Sequence, residues 1–78
     1  NAIKILEESY QYNHNISIIN YQLAAYYIYN EEPATSYKYF EKGLLLNYKE
    51  HNEVLLNFPK IRENDEINRL ILKYNNFK

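Results

Sequence analysis

The side chains able to do chemistry in this chain are few and scattered. Its two histidines, His14 and His51, both fall near expected turns, almost one structural period apart. A metal ion would need further ligands gathered in the same place. Only Glu50 and Glu53 flank His51 in sequence, so a pair of surface turn histidines is the simpler reading. Adjacent carboxylates occur at Glu7-Glu8, Glu31-Glu32 and Asp65-Glu66. Consecutive residues on a helix point in different directions, so none forms an acid/base dyad. The four Ser and Thr residues have no His and carboxylate grouped with them, and the chain has no Cys and a single Gly. Neither a nucleophile nor a phosphate-cradling loop is therefore expected. Asn15-Ile16-Ser17 is formally a glycosylation sequon, but its simpler expected role is to cap a helix. No catalytic, metal or cofactor residue is expected. What the chain has in quantity is Tyr, ten of its 78 residues. An apolar ring with a polar tip suits half-buried helix faces and contact surfaces.

Composition narrows the function classes. Seventy-eight residues allow one domain, marginal alone unless its helices pack well. The net charge is −1, from 9 basic and 10 acidic residues of interspersed sign. Nucleic-acid binding needs a basic patch or stripe, and none is visible. No apolar run approaches the ~18 residues of a membrane span. The chain opens on Asn1 within an amphipathic pattern, so it reads as a fragment of a longer protein. The compartment is left open, with the cytoplasm favoured.

Apolar periodicity lays out the elements. Ile3, Leu6 and Tyr10 recur on one helical face over residues 1–12. After a polar break at 13–15, a second helix runs from residue 16 or 17 to 29. Ile16, Ile19, Leu23, Tyr26 and Tyr27 are its expected buried stripe, and Asn15 or Ser17 its expected N-cap. Pro33 suits the first turn of a third helix, Pro33–Leu46. That helix should bury Tyr37, Phe40 and Leu44, with Gly43 allowing a neighbouring helix close approach. A shorter helix over 49–57 should end where Pro59 excludes a helical Phe58. Ile61 anchors a loop or single turn. Asn64 can cap a last helix with Asp65 and Glu66 in its first turn and Ile67, Leu70, Ile71 and Tyr74 as its stripe. No segment alternates with period two, so no strand is expected.

One helical pattern occurs twice. Ala2-Ile-Lys-Ile-Leu-Glu-Glu-Ser9 realigns, 34 residues on, with Ser36-Tyr-Lys-Tyr-Phe-Glu-Lys-Gly43. Small residues, Lys4 with Lys38, Glu7 with Glu41, and Leu6 with Phe40 coincide. A period in this range is the mark of stacked helical hairpins.

With this spacing the chain resembles the tetratricopeptide repeat family. Leu23, Ala24 and Tyr27 stand in the places of the family's Leu-Gly and Tyr, with Asn20 where Trp is usual. Ser36 and Phe40 occupy the second helix's Ala and aromatic places, and Tyr48 replaces the exit Pro. Upstream, Ala2 and Leu6 fill the second-helix places of a half-copy. Beyond residue 50 the pattern lapses, because Asn57 stands where Leu belongs and Pro59 interrupts the helix. The resemblance implies an all-α fold of helix-turn-helix repeats stacked as a short superhelix. Residues 1–16 would be the second helix of an incomplete repeat, 17–50 one complete repeat, and 51–78 a degenerate capping hairpin.

It further implies a non-catalytic scaffold that binds a protein or peptide in a groove lined by the first helix of each hairpin. Carried onto this chain, the groove residues are Ile18, Tyr21, Gln22, Ala25, Ile28 and Tyr29. Neither nucleic acid nor membrane is an expected partner. The family's basic clamp for a C-terminal carboxylate is not expected, since no Lys or Arg lies between Lys4 and Lys38. Two other expectations stand beside the groove. Tyr21 and Tyr29 could instead pack on a neighbouring hairpin, making the segment a structural cap or accessory helical module of a larger enzyme or regulator. The open apolar face of the helix at 1–12 could also drive self-association.

Overall fold

The computed structural model describes Lys4, Glu7, Glu8 and residues 15–75. These residues are all-α, with no strand among them. Lys4, Glu7 and Glu8 are helical and exposed. The rest of the expected first helix, with Ser9, His14 and the apolar face proposed for self-association, lies outside the described residues. Downstream come α1 (Ser17–Tyr29), α2 (Pro33–Leu46), a 3-10 turn (Tyr48–Glu50), α3 (His51–Asn57), α4 (Pro59–Arg62) and α5 (Asp65–Asn75).

Local chemistry explains most of the boundaries. Pro33 opens α2 and Pro59 opens α4, where a missing N–H costs little. Phe58 before Pro59 is extended, with φ −131° and ψ 90°, so the short helix expected over 49–57 ends there as anticipated. Asn64 Oδ1 accepts the Ile67 N–H at 3.0 Å, the N-cap expected for the last helix. The expected cap of α1 is absent. Ile16 holds that position and no side chain caps the helix, because the Ser17 hydroxyl donates instead to Glu50, 2.7 Å away. The turn from α1 to α2 depends on Glu31, whose φ is 60°. Its N–H donates to the Ile28 carbonyl and the Glu32 N–H to the Tyr27 carbonyl. This is the helix-ending motif that ordinarily uses Gly at the left-handed position.

Tertiary packing gathers these helices into two hairpins lying side by side. The core comprises Tyr21, Ala24 and Ala25 of α1, Phe40 and Leu44 of α2, Val54 and Ile61 from α3 and α4, and Ile67 and Leu70 of α5. At the start of α1 Ser17 reaches Glu50, just ahead of α3; at its end Tyr29 packs on Phe58, beyond α3. Thus α1 runs parallel to α3. Near the start of α2 the Tyr37 hydroxyl accepts from Asn64 at the head of α5, and just beyond the end of α2 Tyr48 donates to the Ile71 carbonyl in the later half of α5. Thus α2 and α5 also run in one direction. First helix lies beside first helix, and second beside second. A consecutive up-down bundle would instead set antiparallel neighbours against each other.

Within the first hairpin, close approach depends on small side chains. Ser36 is fully buried and its hydroxyl donates to the Ala24 carbonyl at 2.6 Å. Gly43 lies under the ring of Tyr21, and a Cβ there would come within 2.9 Å of the ring. Its missing side chain serves close packing, as the sequence suggested, with an aromatic ring as the neighbour. Tyr21 also meets Phe40 edge-on at 5.2 Å between centroids.

Candidate functional site

Helix α1, Ser-Ile-Ile-Asn-Tyr-Gln-Leu-Ala-Ala-Tyr-Tyr-Ile-Tyr, carries apolar residues on almost every side. Three faces result from its neighbours. Tyr21, Ala24 and Ala25 enter the core shared with α2, α3 and α5. Asn20 and Leu23 are fully buried outside that cluster, on the side where the Tyr27 hydroxyl donates to Glu7. Ile18, Gln22 and Tyr29 remain exposed, with Ile19 and Tyr26 half-buried beside them.

The six expected groove residues are therefore divided. Ile18, Gln22 and Tyr29 share an exposed face, and Ile28 is half-buried against the core. Tyr21 and Ala25 do not belong to any groove. Tyr21 has no accessible surface and Ala25 almost none, because α2 and α3 close over this side of the helix. The Tyr21 hydroxyl is satisfied internally, donating to the Asn47 carbonyl at 2.8 Å. Burial pushes its ionisation well above the ordinary tyrosine range, with the charges of Glu50 and Tyr48 adding to the effect. The expected stripe of α1 is also revised. Leu23 is buried, but Ile16 is exposed and Ile19, Tyr26 and Tyr27 are only half-buried.

Tyr29 plays a mixed part. Its ring meets Phe58 at 6.1 Å between centroids, and Lys60 Nζ sits 5.2 Å from its centre. Its hydroxyl oxygen accepts the Lys60 backbone N–H at 3.4 Å, in the first turn of α4. It thus joins the two hairpins while keeping one edge in water.

Two residues beyond the expected set are exposed on α3. Asn52 and Leu56 stand 34 residues after Ile18 and Gln22. Both are exposed, Leu56 at 76%. Since α1 and α3 run parallel, a true 34-residue repeat would set equal positions of the two helices on one side of the pair. The signal was available by adding one period to Ile18 and Gln22, but the broken pattern after residue 50 hid it. Ile18, Gln22, Asn52 and Leu56 are themselves uncharged, while Glu53 directly follows Asn52, Lys49 lies three residues before it, and both are exposed.

Little else among the described residues is arranged for chemistry. No group of three or more His, Asp or Glu side chains is placed to hold a metal ion. His51 is buried, its Nδ1 facing the Tyr48 carbonyl and its ring edge-on to Tyr48. It therefore packs inside the second hairpin and is not the surface turn histidine expected. No described helix is long and apolar enough to cross a membrane. Compared with known proteins, the chain matches no family model, no curated protein and no solved structure.

Proposed function

We propose that this chain belongs to a tetratricopeptide-like helical repeat array and serves as a non-catalytic binding module for a protein or peptide segment. The observation that carries this reading is the register between the hairpins. The Ser17–Glu50 and Tyr74–Glu41 hydrogen bonds each join residues 33 apart, within one of the 34-residue period. Parallel stacking of like on like is what a repeat array requires. The meeting of Ala24 and Ser36, at the resemblance's two small positions, supports the same reading. The partner would lie along Ile18, Gln22, Asn52 and Leu56, with Tyr29 at one end. The aliphatic and carboxamide groups of these residues favour a partly apolar segment, since a charge buried on them would lose its hydration without compensation; exposed Lys49 and Glu53 are close by in sequence for polar contacts at its edge.

Selection of a random displayed-peptide library against the folded chain tests this. Enriched peptides should perturb the backbone amide resonances of Ile18, Gln22, Asn52 and Leu56. An Ile18→Arg/Leu56→Arg variant should lose at least tenfold in affinity, because burying one aliphatic side chain is worth ~1.5–3 kcal/mol. Leu72→Arg, on the far side of α5, should bind normally. Resonance shifts confined to α5, or undiminished affinity in the folded double variant, would overturn the proposal.

The alternative is a structural cap or accessory module whose functional site lies elsewhere in a larger protein. The outer face of α5 favours it: Asp65, Asn68, Arg69 and Asn75 are all exposed, with Leu72 the apolar residue among them. Terminal repeats turn such polar faces to water. A folded chain that enriches no peptide at all would support the cap over the binding module.

A further inference from the structure

We draw no further inference here: the strongest candidate, the exposed leucines Leu45 and Leu46 at the C-terminal end of α2, is an unpartnered apolar patch, and nothing in the structure shows what covers it.

Discussion

Gly43→Ala should destabilise this fold even though it improves the local helix. Gly43 lies well inside α2, where Ala is favoured by about 0.8–1.0 kcal/mol. Against that, the new methyl carbon would lie 2.9–3.0 Å from three ring carbons of Tyr21. Carbon atoms normally rest ~3.5–4.0 Å apart, so the ring would have to retreat by roughly 0.6 Å or more. It has nowhere to go. Tyr21 is fully buried, its edge is against Phe40, and its hydroxyl is tied to Asn47. Overpacking of this kind costs about 1–3 kcal/mol, and a strained hydroxyl contact adds up to ~1 kcal/mol. These terms sum to a net loss of about 0–3 kcal/mol, with a central value of about 1.5 kcal/mol. For a domain of this size each kcal/mol corresponds to roughly 4–8 °C in Tm. Thermal and urea unfolding followed by far-ultraviolet circular dichroism would measure the loss. A Tyr21→Leu background isolates the cause, because the same Gly43→Ala change there should become neutral or stabilising. A Gly43→Ala protein as stable as the parent, or a penalty that persists in the Tyr21→Leu background, would refute the reasoning.

Other outcomes follow from single contacts. Glu31→Gly should raise stability by about 1 kcal/mol in urea unfolding, since Gly adopts the observed φ of 60° without the strain a side chain brings there; a lower midpoint would count against the motif. Asn64→Ala removes the acceptor for the Ile67 N–H and should cost about 1 kcal/mol, measured the same way, whereas Asn64→Ser should recover most of it. Stability should fall in alkali. Burial raises the ionisation of Tyr21 and of Tyr27, and the hydrogen bond to Glu41 raises that of Tyr74. Groups whose folded pKa lies above the unfolded value contribute their full stability below about pH 10 and lose it as pH rises through the folded values. The tyrosine contribution to Tm should therefore be complete below about pH 10 and decline above it, with tyrosinate absorbance lagging that of the unfolded chain; coincident titration curves would exclude the effect. Tyr29→Ala should lower stability as well as any peptide affinity, because its ring and hydroxyl support Phe58 and α4.

The legible parts of this fold are those governed by local chemistry. Pro33, Pro59 and Asn64 act through fixed φ, a missing N–H and a side-chain acceptor, and each marks the boundary it was expected to mark. Amphipathic helices were equally readable: Ile67 and Leu70 of α5 face inward, and the opposite side is polar apart from Leu72. α1 resisted the same treatment. Its apolar residues encircle the helix, so periodicity cannot say which side meets the core. That is why Tyr21 and Ala25, expected on an open groove, are buried, while Ile16, expected inside, is exposed. The exposure of Leu56 was missed for a related reason, since the interrupted pattern around Pro59 drew attention away from its place 34 residues after Gln22.

By itself, the sequence determined helix content, most helix ends, the need for a small residue at Gly43, and the 34-residue rhythm. These depend on backbone sterics and on spacing along one chain. Only the tertiary structure decided which side of α1 faces water, that α1 runs parallel to α3 and α2 to α5, and that Ile18 and Leu56 are both exposed. The hydrophobic effect rewards burial without direction. A helix apolar all round therefore takes its orientation from the neighbours that close over it, and those neighbours are set by the whole fold.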